Sequence, residues 1–220
     1  YGAQTQRAID NFPVSDKTMP EAFIRALLTA KSAAAQANAK LELLPVNVAN
    51  AISEVVGELL ASPDLMSHFP VDVYQTGSGT SSNMNANEVL ATLASAKVGE
   101  AVSANDHINY GQSSNDIIPT TIHISATVEV TEQLLPALEY LHDAIVSKAK
   151  TVDHHIKTGR THLMDAMPVR LSQSLLSWAT QIEQNIFFIN ATLPKLKTLA
   201  QGGTAVGTGI NAHPDFAVEF

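Results

Sequence analysis

Two apolar stripes in the second half of the chain set the strongest limit on its fold. Leu134, Leu138, Leu141, Ile145 and Ala149 recur at steps of three or four residues. Leu171, Leu175, Trp178, Ile182, Ile186, Ile189, Leu193 and Leu196 do the same over a longer run. Long helices packed along their length against others keep such residues on one face. Two helices with a continuous apolar face each cannot close a core by themselves. Further helices must cover them, from the rest of the protein, from other subunits, or from both, and oligomerisation is therefore expected.

The first half is also helical in pattern. Pro20 suits a first turn, Phe23, Ile24, Leu27 and Leu28 keep helical spacing, and Ala-rich sequence runs on to Leu44 before Pro45. A second helix is predicted from about Val46 to Ala61, and a third from Asn83 to Lys97, with Thr80 or a neighbouring Ser as its cap. Strand patterns are confined to short stretches such as Val71 to Tyr74. The expected fold is mainly α, with an N-terminal helical domain over residues 1–110 and the first long helices of a bundle over residues 111–220.

With 45% hydrophobic residues the chain can bury a sizeable core. A net charge of −8 on only 15% charged residues argues against nucleic acid as a partner, because polyanion binding needs clustered Lys and Arg. Any anionic ligand must then be held by local donors. The absence of Cys removes disulfide and thiolate-metal chemistry and makes a reducing, cytoplasmic setting the default. No apolar run is long enough for a membrane span, and no metal site is expected. A start at Tyr1 and a stop at Phe220 inside a continuing pattern suggest a piece of a longer subunit.

Three segments between helices are rich in small hydrogen-bonding residues: Thr76 to Asn87, Asn105 to Asp116 and Gly159 to Asp165. Ser78-Gly79-Thr80 offers two hydroxyls and approachable amides just before a helix, which can hold a carboxylate without a formal positive charge. Taken alone, a capped turn explains it as well or better. Gln112-Ser113-Ser114-Asn115-Asp116 precedes a helix predicted to begin around Pro119; Asn115 can donate two hydrogen bonds, and an Asx turn is the competing reading. Gly159-Arg160-Thr161-His162 concentrates a cation, a hydroxyl and an imidazole, more chemistry than a surface loop needs.

Of eight histidines, most lack distinguishing context. His154 and His155, adjacent on a predicted helix, should point apart with no ligand set around them. His123 reads as structural. His162 is the candidate acid or base, since imidazole changes charge most readily near neutral pH, with a buried structural role as the alternative.

Five strings in register resemble class II fumarases of the fumarase and aspartase superfamily: Tyr1 to Arg7, Gln75 to Asn85, Gln112 to Asp116, Gly159 to Leu163 and Gly202 to Gly209. The resemblance spans essentially the whole chain and identifies it with the N-terminal half of such a subunit. His162 after Gly159-Arg160-Thr161, where aspartases more usually have Gln, and Ser113-Ser114, where they tend towards Ser-Thr, favour fumarase over aspartate ammonia-lyase. A helical assembly or storage role is a third reading.

That resemblance implies reversible addition of water to fumarate to give S-malate, without a cofactor, in a homotetramer with shared active sites. It implies that Ser78, Gly79, Thr80, Ser113, Ser114, Asn115 and Thr161 bind the two carboxylates and that His162 handles the proton of the water. The general-base loop would lie beyond Phe220, so the fragment alone should be inactive. Fumarases commonly carry His-Pro-Asn-Asp at a secondary dicarboxylate site. Here the string is Ser103-Ala104-Asn105-Asp106, so only Asn105 and Asp106 of that site carry over.

Overall fold

The computed structural model describes residues 1–220 and is mainly helical, with one small sheet. It divides into two compact units, one formed by Tyr1–Ser125 together with Leu199–Phe220, the other by Ala126–Thr198. The partition expected at residue 110 lies inside the first unit, and the last 22 residues, 199 to 220, return to that unit.

The first unit is built on α1 (Ala3–Asn11), α2 (Glu21–Lys40), α3 (Val46–Ala61) and α4 (Thr80–Val98). Its core draws Leu27 and Leu28 from α2, Ile52 and Val55 from α3 and Leu90 from α4, all at most 1% exposed. Each such side chain contributes roughly 1.5–3 kcal/mol by leaving water. Buried alanines at 26, 30, 34, 35 and 37 let neighbours approach α2 closely. The first turn of α1 uses a borrowed cap: Glu88 of α4 accepts the amides of Gly2, Gln4 and Thr5 and the Thr5 hydroxyl. Burial pushes the Glu88 carboxyl up, but these donors outweigh it and hold it below the ordinary carboxylate range.

Several elements differ from their sequence expectations. Pro20 is the N-cap of α2 rather than a first-turn residue, and Pro45 caps α3 in the same way. The α4 helix starts at Thr80, its cap being Gly79 in the left-handed region at φ 69°. The α5 helix (Ser114–Glu129) begins five residues before Pro119, which sits inside it and forgoes one helical bond to Asn115. Val71 to Tyr74 is not a strand; Asp72 makes only an isolated bridge with Thr18.

The second unit contains α6 (Leu135–Thr151), joined to α5 through a π-helical turn at Val130–Leu134, and α7 (Leu171–Leu196). At 1.5 Å per residue α7 is about 39 Å long. Between α6 and α7 lies a hairpin of β1 (Ile156–Thr161) and β2 (Met164–Arg170), antiparallel, with Thr161 opposite Met164. The register shifts by one between Thr158 and Arg160, placing Ala166 and Met167 opposite Gly159 as a bulge. A side chain at 159 would come within 2.6 Å of the Met167 carbonyl, so the bulge requires glycine. Of the apolar positions on α6 and α7, few are buried, among them Leu135, Ala149, Ala179 and Leu193. Tyr140, Trp178, Phe187 and Phe188 are exposed. No helix is long and apolar enough to cross a membrane.

Candidate active site

The site grows from two helix starts in the first unit. At the start of α4, the Ser78 and Thr80 hydroxyls lie 2.9 Å apart, close enough for one to donate to the other. Gly79 is fixed by two demands, its left-handed backbone and its contact with Ile118 of α5, where a Cβ would come within 3.0 Å. The Gln75 side chain accepts the Ser82 amide at 2.9 Å, and the Asn83 amide bonds to the Gly79 carbonyl. The amides of Thr80 and Ser81 are left at the positive end of the helix, free for an anion.

At the start of α5, the Ser113 amide donates to Asp116 at 2.8 Å, and the Ser113 hydroxyl accepts the Asn115 amide at 3.2 Å. The Ser114 hydroxyl accepts a hydrogen bond from Asn83 of α4 at 3.1 Å. That bond, with the Gly79 to Ile118 contact, joins Ser78, Gly79 and Thr80 to Ser113, Ser114 and Asn115 in one cluster. Asn115 already donates to the Ala205 carbonyl at 2.8 Å, tying it to the glycine-rich segment from Gly202 to Gly209. Asp116, 1% exposed, fastens the same segment by accepting the Thr204 amide at 2.8 Å and the Gly202 amide at 3.2 Å.

Beside the α4 start runs a groove of about 380 Å³ whose lining includes Gln4, Arg7, Asn11, Ser78 and Thr80. Arg7 brings a guanidinium to it. Behind α5 lies Lys31 of α2, fully buried, donating to Asn109 at 2.8 Å and Gln112 at 2.9 Å. Burial lowers its amine to about 7, against the opposing pull of Asp116. Sequence reasoning passed over Lys31, although a lysine four residues after Leu27 on the apolar face of α2 was a visible signal.

Thr161 and His162 belong to the second unit, at the end of the hairpin. His162 and Leu163 form its two-residue turn with φ of 50° and 61°, the pattern of a type I′ turn, and both are exposed. His162 is therefore not a buried structural residue of this chain. Arg160 pairs with Asp165 across the hairpin. Asn105 and Asp106 lie exposed on a π-helical turn, Ala104–Ile108, closed by Ser103, whose hydroxyl accepts the Asp106 amide. His154 and His155 follow the end of α6 rather than sitting on a helix, and their rings lie 3.9 Å apart instead of diverging.

The lyase family pattern matches residues 1–220. Fumarate hydratase class II 2 of Pseudomonas aeruginosa is 64% identical over all of this chain and 48% of its own length. The class II fumarate hydratase of Xylella fastidiosa is 53% identical over 98% of this chain and 46% of its own. The class II fumarase structure from Schistosoma mansoni superposes with a TM-score of 0.94 at 39% identity, covering 100% of this chain and 47% of that one. The chain thus spans about half the length of the relatives it matches. It belongs to the lyase family, in which it corresponds to the N-terminal half of class II fumarate hydratases.

Proposed function

We propose that the protein to which this chain belongs is a fumarate hydratase, adding water reversibly to fumarate to give S-malate. The observation that carries the reading is the joining of two helix starts by the Asn83 to Ser114 bond, which groups uncharged donors around one place. Removing the proton beside a carboxylate of malate spreads a third negative charge into that carboxylate. Donors held in advance around it stabilise this state more than the ground state, and a single such donor is typically worth about a hundred- to a thousandfold in rate. Ser78, Gly79, Thr80, Ser113, Ser114, Asn115 and Thr161 are the binding groups in this proposal, and His162 transfers the proton of the water.

Similarity to class II fumarate hydratases at 64% identity supports the substrate, and the exposed faces of α6 and α7 support a homotetramer in which sites are shared. The exposure of Thr161 and His162 fits groups that act on a pocket completed by other parts of the assembly. A cytoplasmic setting suits the cysteine-free sequence.

The full-length enzyme should hydrate fumarate and release no ammonia from aspartate. His162→Asn should lower its turnover at least about a hundredfold, the usual scale of general acid and base catalysis. Faster ammonia release would reassign the protein to the aspartate ammonia-lyases. Unchanged turnover in the variant would remove His162 from the chemistry.

A further inference from the structure

The Lys31 amine is buried in the first unit at a cost that an apolar side chain of the same length would avoid. Methionine at this position would fill similar space and continue the apolar face of α2. What the amine adds is direction. A lysine ammonium can donate hydrogen bonds and cannot accept them, and the neutral amine still has two hydrogens for two acceptors. Its two partners present oxygen to it: Asn109 Oδ1 at 2.8 Å and Gln112 Oε1 at 2.9 Å.

That choice propagates. With Asn109 Oδ1 turned towards Lys31, its amide nitrogen reaches the Gln112 carbonyl at 3.3 Å. The same Oδ1 takes a second bond from Asn83 Nδ2 at 3.3 Å, which forces the Asn83 amide to present nitrogen on this side. Asn83 Nδ2 then donates to Ser114 Oγ at 3.1 Å. Ser114 is thus made an acceptor inwardly, and its one proton is left to be donated outwardly. Gln112, immediately before Ser113, is held by the amine and by its own bonds to the Ile108 and Tyr110 carbonyls at 3.0 and 3.3 Å. Asp116 is the charged group facing the amine.

We propose that Lys31 is a positioning residue of the dicarboxylate pocket: through Asn109, Asn83 and Gln112 it fixes the donor direction of Ser114 and the shape of the turn that carries Ser113 and Asn115. The inference rests on the fumarate hydratase reading for the identity of the ligand. On this proposal Ser114 holds the carboxylate that takes up no extra charge, so its bond serves bound substrate and transition state alike and its loss acts on KM more than on kcat.

The test uses the full-length enzyme, with succinate as an unreactive dicarboxylate probe. Lys31→Met should raise the succinate Kd and the malate KM at least about tenfold, with a much smaller change in kcat. Ser114→Ala should do the same, and the double variant should be little worse than either single one, as expected for groups acting in series. Val55→Ala, a core truncation remote from this chain of bonds, should lower stability while leaving KM unchanged. Wild-type succinate affinity in Lys31→Met, or full multiplication of the two effects, overturns the proposal. Should Lys31→Met fail to fold, Gln112→Met removes one acceptor at a partly exposed position; weakened succinate binding there supports the proposal, and unchanged binding overturns it. A wild-type enzyme that neither turns over malate nor binds succinate would instead overturn the functional reading.

Discussion

At the scale of the residue, Lys31 makes a second quantity measurable, the dependence of stability on pH. Its amine has a folded value of about 7, against about 10.5 when exposed in the unfolded chain. Between those values the unfolded chain binds more protons, so the free energy of unfolding rises with pH, by at most about 1.4 kcal/mol per unit. Below about 7 both states are charged and the full burial penalty remains. Urea unfolding of the full-length protein from pH 7 to 9 should show a rising contribution that Lys31→Met abolishes; parallel pH dependences would show that burial does not lower the amine. Ser78, Thr80, Ser113 and Ser114 are proposed as outward donors from the family resemblance of their strings, because hydroxyls before a helix alone serve a capped turn as readily. The sequence could not name Lys31, Asn83 or Asn109, whose value lies in which atom faces which, a property of tertiary contact that spacing does not encode.

At the scale of the element, helices were legible where composition and packing agreed, and their ends were misread where the cap was a proline or a left-handed glycine. The end of α2 is a Schellman motif: the Glu42 amide bonds to the Ala39 carbonyl at 3.0 Å and the Leu43 amide to the Asn38 carbonyl at 2.8 Å. That motif calls for a left-handed residue, and Glu42 occupies the place at φ 60° with an exposed side chain. Glu42→Gly should therefore stabilise the protein by about 1 kcal/mol, the left-handed penalty less the added flexibility of the unfolded chain. Equilibrium denaturation checks it, and a loss of stability would mean that the glutamate has a contact in the assembled protein that outweighs its strain. The hairpin escaped sequence reading for related reasons. Its strands are largely exposed on both faces in this chain, so no alternation marks them, Gly159 breaks their register, and the turn at His162-Leu163 lacks the Asn-Gly or Asp-Gly signal.

For the whole molecule, the second unit poses a problem of coverage. The α7 helix presents Phe187 and Phe188 to water at 68% and 62% exposure, and Phe188, Ile189, Leu193 and Leu196 line an apolar groove of about 310 Å³. The need for cover is legible in the stripes alone, because a helix apolar along its length requires partners whatever its neighbours in sequence are. The identity of those partners is not, since self-association and cover by the remainder of the subunit satisfy the same pattern. The proposed tetramer makes a definite demand on the groove. Phe188→Glu would place a carboxylate against apolar surface, a cost of several kcal/mol when no cation answers it. The full-length variant should dissociate at protein concentrations at least about a hundredfold above those at which the wild type does, measured by sedimentation equilibrium. Because the proposed sites are shared between subunits, fumarate hydration should fall with the loss of assembled species and recover as protein concentration is raised. Dissociation with full activity would break the link between assembly and site, and an unchanged mass would mean that segments of the same subunit cover α7.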